Sequence, residues 1–272
     1  MSENFLFPTI TSLPAGYDCV ISLAPATLGA RLVSGDGAID IHFAVFHGGR
    51  QEAEQTESVE FADGLVLGQP LKPFVWHDKS PQWAGGYLEI AITARGGARI
   101  FDDKRPVSFY AIYSKPGRKS FFSDNAYKFG APPVIEQIAR YGRYVDNYPI
   151  VHLDRTRDLG ETITFINPYR KALLASIQSF DGRKLDRLRV AAMSVRNVPL
   201  APLLRPEESA WFGQIQITAT NRVITYDVKH SLADPAIISD HEHLDPFRGE
   251  PTHLPLTRLI RRSVGEAIRR HA

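Results

Sequence analysis

The sequence predicts an all-β protein: two antiparallel β-sandwich modules, one short connecting helix and a C-terminal amphipathic helix. Three observations predict it. Apolar and polar residues alternate with a period of two in segment after segment. Gly-Gly, Asp-Gly and Asn-Pro pairs punctuate those segments as turn signals. Helical spacing is confined to two short stretches, near residues 131–143 and 251–272.

The first module is expected over residues 1–130. In "AIDIHFAVFHGG", Ile39, Ile41, Phe43 and Val45 fall on one face and Asp40, His42 and Ala44 on the other, which is a half-buried strand closed by Gly48-Gly49. "YLEIAITARGG" repeats the pattern with Leu88, Ile90 and Ile92, and "VSFYAIYSK" with Val107, Phe109, Ala111 and Tyr113. The apolar runs "DCVISLA" and "GLVLGQPL" supply further strands.

Next, "SKPGRKSFFSDNAYKFGAPP" shows neither strand nor helix period, and so reads as an ordered aromatic loop. Phe121, Phe122, Tyr127 and Phe129 lie there among Lys115, Arg118, Lys119 and Lys128. Such a mixture suits pockets on a partner protein, or stacking on bases or sugars. The competing structural role is a cap folded over the open end of the module. Pro132-Pro133, then Ile135, Ile138 and Ala139, then Gly142 mark the short helix of residues 131–143.

The second module is expected over residues 144–250. "GETITFINP" sets Ile163 and Phe165 against Thr162 and Thr164 and stops at Asn167-Pro168. "KALLASIQSFDGRKLDRLRVAAMSV" reads as two strands joined at Asp181-Gly182. "VPLAPLL" and a final pair, "QIQITAT" and "VITYDVK" about Asn221-Arg222, complete the set. This combination resembles the immunoglobulin-like and fibronectin-like sandwiches of bacterial accessory domains over about sixty residues. The resemblance implies an architecture and no activity.

The chain closes on "LTRLIRRSVGEAIRRHA", assigned to residues 251–272. Leu256, Ile260, Val264 and Ile268 form a stripe, with Arg258, Arg261, Arg262, Arg269 and Arg270 around it. The helix is expected to dock its stripe on the protein and leave the arginines to a partner. Peripheral contact with an anionic membrane is the alternative.

Composition narrows the function classes. The 32 basic and 30 acidic residues leave a formal charge of +2, so overall charge gives no reason to expect a nucleic-acid partner. Cys19 is the only cysteine, which excludes an internal disulfide and multi-cysteine metal sites. Neither a leader-like N-terminus nor a run of about 18 apolar residues is present, so a cytoplasmic protein without a transmembrane segment is expected. The nucleophile-elbow, phosphate-loop, dinucleotide-binding and His-Glu-x-x-His patterns are absent from the sequence.

The remaining chemistry-bearing stretch is "ISDHEHLDPFRGEP", read as a surface loop. His241 and His243, with Asp245, offer a two-histidine, one-carboxylate set for a divalent transition metal, and the His-x-His pair resembles that of cupin barrels. The glutamate expected four or five residues later in a cupin is missing here, Glu250 being the next.

The function expected is therefore a noncatalytic binding or assembly protein without a cofactor, meeting a protein partner through the aromatic loop and the basic terminal helix. A metal-dependent oxygenase or hydrolase using His241 and His243 is the first alternative. A carbohydrate-binding module, suggested by Trp76 and Trp83, is the second.

Overall fold

A computed structural model describes residues 5–23, 33–62, 65–67, 72–78, 84–100, 109–117, 121–128, 144–185, 187–220 and 223–244. The 131–143 helix and the 251–272 helix lie outside the described residues. Within them the fold is antiparallel β, with a single 3-10 turn at Ala201–Leu203.

The first half contributes β1 (Phe5–Leu13), β2 (Asp18–Leu23), β3 (Val33–Ser34), β4 (Gly37–His47), β5 (Arg50–Ala62), β6 (Leu65–Leu67), β7 (Phe74–Trp76), β8 (Gly86–Gly96), β9 (Arg99–Ile100), β10 (Phe109–Ser114) and β11 (Phe121–Lys128). Nine of these form one sheet in the order β6-β5-β4-β8-β1-β11-β10-β2-β7, while β3 and β9 pair with each other. The second half contributes β12 (Tyr144–Asn147), β13 (Ile150–Asp154), β14 (Leu159–Asn167), β15 (Leu173–Ser179), β16 (Leu188–Val190), β17 (Ser194–Pro199), β18 (Ala210–Ala219), β19 (Ile224–Ser231) and β20 (Ile238–Leu244). Their order is β16-β15-β18-β13-β14-β19-β20, with β12 added to β18 and β17 to β14.

Period-two alternation decides what is buried. Ile39, Ile41, Phe43 and Val45 of β4 point into a core with Leu88, Ile90 and Ile92 of β8 and Phe109, Ala111 and Tyr113 of β10. The β4–β5 turn at Gly48 and Gly49 has φ values of 55° and 84°, the left-handed geometry a tight hairpin needs and glycine adopts at least cost. Phe43 stacks on Phe74 of β7 with ring centroids 5.1 Å apart. Since β4 and β7 are distant in the strand order, the first sheet must curl until its two parts face each other across this core.

The same core extends into the second half and takes in Ile166, Tyr169, Ile224, Tyr226, Val228 and Ile238. A second core lies wholly within the second half, around Val151, Ile163, Phe165, Ile177, Ile215 and Ile217. Strand β14 therefore buries both faces, Ile163 and Phe165 toward one core and Ile166 toward the other.

Four expectations are corrected. The aromatic segment is not a loop from Phe121 to Lys128: it is β11, paired residue for residue with β10 from Phe109↔Ala126 to Ser114↔Phe121. The "ISDHEHL" stretch is not a loop either, but the strand β20 on β19. The hairpin expected about Asn221-Arg222 does not form, since β18 pairs with β12, β13 and β15 whereas β19 pairs with β14 and β20. The chain crosses there from one part of the sheet to another, and cross-strand packing outranks the local turn signal. "VPLAPLL" is a strand only as far as Pro199, after which a 3-10 turn begins.

Candidate functional site

Pairing on β10 sorts the aromatic residues. Alternation turns Phe109, Ala111 and Tyr113 inward and Tyr110 and Ile112 outward. Ile112 faces Ser123 of β11 on one side and Val20 of β2 on the other, and Val20 in turn faces Val75 of β7. Phe121 lies opposite Ser114 at the end of β11. The result is an apolar surface across four adjacent strands: Phe121 is 79% exposed, Tyr110 52%, Ile112 46% and Val75 43%. Asp18, Ser114 and Ser123 give it a polar margin.

Phe122 belongs to the core instead. Its ring stacks on Tyr113 with centroids 4.7 Å apart and meets Tyr17 and His241, each at 5.3 Å. Tyr127 pairs with Ile10 of β1 in the sheet. Phe129, Arg258, Arg261, Arg262, Asp245 and Trp83 lie outside the described residues.

His241 and His243 do share one face of an extended strand, as their spacing requires. That face looks into the first core. His241 is buried against Tyr226, at 4.5 Å between ring centroids, and against Tyr113 at 5.3 Å. His243 meets the Tyr226 ring edge-on at 5.2 Å. Among the described residues no group of three His, Cys, Asp or Glu side chains is gathered in metal-binding geometry.

The opposite face of β14, β19 and β20 carries a site that the sequence reading missed. Glu161 and Asp227 are each 3% exposed. Glu161 Oε1 accepts the His152 backbone N–H at 2.7 Å, where β13 leaves β14 to pair with β18. Glu161 Oε2 and Asp227 Oδ1 are buried without a hydrogen-bond partner among the described residues, so each carboxyl raises the cost of charging the other. Burial, with the nearby Asp227 charge, pushes Glu161 up to about 8. Burial also raises Asp227, opposed by the Lys229 charge. Lys229 Nζ stands 3.8 Å from Asp227 Oδ2 and 3.2 Å from Asp240 Oδ2, linking the buried pair to a surface carboxylate. The sequence held a signal for this pair: Glu161 is in phase with the core residues Ile163 and Phe165.

Two other sequence-level candidates have structural positions. Cys19 is fully buried on β2, and burial raises its thiol well above the ordinary range, so it packs as a small hydrophobe. Trp76 is partly buried and packs against the first core.

No helix among the described residues is long and apolar enough to cross a membrane. No protein-family profile matches this sequence, and no curated protein matches it.

Proposed function

We propose that this chain is a noncatalytic binding protein whose N-terminal sheet docks a protein partner through Phe121, Tyr110, Ile112 and Val75. The observation that supports it is the set of exposed apolar side chains that these residues present on one face of β11, β10, β2 and β7. Large apolar side chains spread over neighbouring strands with a hydroxyl-bearing margin have the composition of an interface centre with its rim. Tyr110 and Phe121 are aromatic anchors of the kind that carries much of the affinity in such contacts. Two β-sandwich modules of immunoglobulin-like character are the scaffold of this reading, and the arginines Arg258, Arg261 and Arg262 are a second contact drawn from the sequence alone. The unpaired Cys19 suits a reducing, cytoplasmic setting.

Native mass spectrometry of gently purified protein tests the proposal, with an Ile112→Ser/Phe121→Ser variant whose fold is checked by circular dichroism. The expected result is a stoichiometric complex with another protein chain, or a second copy, that the variant loses. A wild-type protein that stays monomeric, or a complex that the variant retains, overturns the proposal. A stoichiometric metal lost from a folded His241→Ala/His243→Ala variant would favour the metal-enzyme alternative.

A further inference from the structure

The second half carries a cavity on the outward face of its sheet, remote in sequence from the apolar surface of the first. It is a half-open depression of about 240 Å³ lined by Ser176, Gln178, Lys184, Arg187, Gln216 and Thr218, together with Ile177 and Leu185. Its floor follows from strand alternation. Ser176 and Gln178 of β15 stand directly opposite Thr218 and Gln216 of β18, so two hydroxyls and two amides share one face. Its wall follows from a register change. Gln178 bridges to Lys184, yet Ala175 pairs with Leu188, which places one extra residue on the returning strand. Such an irregularity re-aims side chains, and here it sets Lys184 and Arg187 at the rim.

The charge at this rim is not neutralised by described neighbours. Arg183 is committed to Asp181 and Glu208, at 2.8 and 2.5 Å. Lys184 and Arg187 form no ion pair among the described residues, and Arg170, Lys171, Arg189 and Arg196 are exposed in the same half. The run "GRKLDRLRV" holds four basic residues against one acidic. A chain of nearly zero net charge thus concentrates cations beside this polar pocket.

Aromatic rings stand beyond the Gln178–Gln216 end, outside the lining and at the end where Gln178 bridges to Lys184. Gln216 Nε2 donates to Tyr148 Oη at 3.1 Å, and the Tyr148 ring lies 6.0 Å from that of Phe180, which is 66% exposed. Phe180 continues the outward row of Ser176 and Gln178.

We propose that this cavity binds an acidic carbohydrate, a uronate-containing oligosaccharide, with Lys184 and Arg187 taking the carboxylate. Hydroxyl and amide side chains both donate and accept, which matches the paired hydroxyls of a sugar ring. Lysine and arginine supply charge-assisted bonds to a carboxylate. Exposed rings offer an apolar surface to the C–H face of a pyranose. The volume is smaller than that of a typical small-molecule pocket, so it suits a short stretch of a longer chain. Single-stranded nucleic acid would call for rings spaced along a basic track, whereas here the floor is hydroxyl and amide and the rings gather at one end.

Isothermal titration calorimetry with α-1,4-tetragalacturonate, neutral maltotetraose and a short oligo(dT) tests this. Two variants, Lys184→Gln/Arg187→Gln and Gln178→Ala/Gln216→Ala, are compared at unchanged far-ultraviolet circular dichroism. Tetragalacturonate is expected to bind more tightly than maltotetraose and to weaken roughly tenfold or more in each variant, the scale of a lost charged or amide hydrogen bond. Rising salt is expected to weaken wild-type binding more than binding by the Lys184/Arg187 variant. Absence of tetragalacturonate binding overturns the proposal. So does binding that the Gln178/Gln216 variant leaves unchanged, or tighter binding of oligo(dT), either of which would mark a general polyanion surface.

Discussion

Phe121 and Phe122 are chemically identical neighbours that a strand sends to opposite sides of a sheet, and the consequences of truncating them diverge accordingly. Phe122 packs on Tyr113, Tyr17 and His241, so Phe122→Ala opens a cavity in the first core and is expected to cost about 3–5 kcal/mol. Phe121 is 79% exposed, and Phe121→Ala is expected to change stability by no more than about 0.5 kcal/mol. Urea unfolding followed by tryptophan fluorescence compares the two. Equal midpoints for the variants would contradict the assigned orientation. The sequence brought the aromatic residues to attention as a group but could not sort them, because orientation depends on the β10 register. Ser123, Asp124 and Asn125 interrupt any apolar alternation from which that register could be read. His241 shows the same limit: its two-residue spacing from His243 disclosed a shared face, but only the packing of β20 discloses that this face meets Tyr226 and Tyr113.

At the scale of elements, strands with one apolar face were legible and strands without one were not. β4, β8 and β10 bury the residues their alternation nominates. β5 carries Glu52, Glu54, Glu57 and Glu60 and buries Val59, so it owes its extended form to pairing along β4. β14 was legible as a strand from Ile163 and Phe165, but its second buried face, with Thr164 and Ile166, shows only when the first half of the chain is packed on it. The carboxyl pair belongs to this element, and it gives β14 and β19 a pH dependence whose sign is fixed. A carboxyl held above its ordinary value binds its proton more tightly in the folded state than in the unfolded one. Between the ordinary 4.5 of Glu161 and its raised value of about 8, the folded state therefore holds more protons, and stability falls as pH rises. The raised Asp227 acts in the same direction. Glu161→Gln keeps an acceptor for the His152 N–H while removing the titration. Its Tm is expected to fall less than that of the wild type from about pH 5 to pH 8, and to be the higher of the two at the alkaline end. Parallel profiles for the two proteins would show that the Glu161 carboxyl is not raised.

The two halves of the molecule were expected to be separate modules, yet the packing joins them through a common core. Tyr17 in the first half accepts the Ile238 N–H at 2.9 Å and donates to the Ala236 carbonyl at 3.2 Å. Tyr226, fully buried, reaches back from β19 to Thr11 on β1 at 3.4 Å, and its ring carries His241 and His243. At a separate point, the Gly49 N–H donates to the Met193 carbonyl at 3.0 Å. Because the face of β14, β19 and β20 that holds Ile166, Ile224, Tyr226 and Val228 shares a core with the first half, separating the halves would expose apolar surface to water. At roughly 25 cal/mol per Å² of apolar surface, a handful of large side chains represents several kcal/mol of coupling. Differential scanning calorimetry is therefore expected to show one cooperative transition, with calorimetric and van't Hoff enthalpies in agreement. Tyr226→Ala, which removes a fully buried ring where the halves meet, is expected to destabilise that single transition by about 3–5 kcal/mol. Two resolved wild-type transitions, only one of them moved by Tyr226→Ala, would mean that the halves fold independently and that the shared core contributes little. A single transition moved as a whole would mean that the apolar face of the first half and the polar cavity of the second are carried at a fixed spacing by one cooperative scaffold.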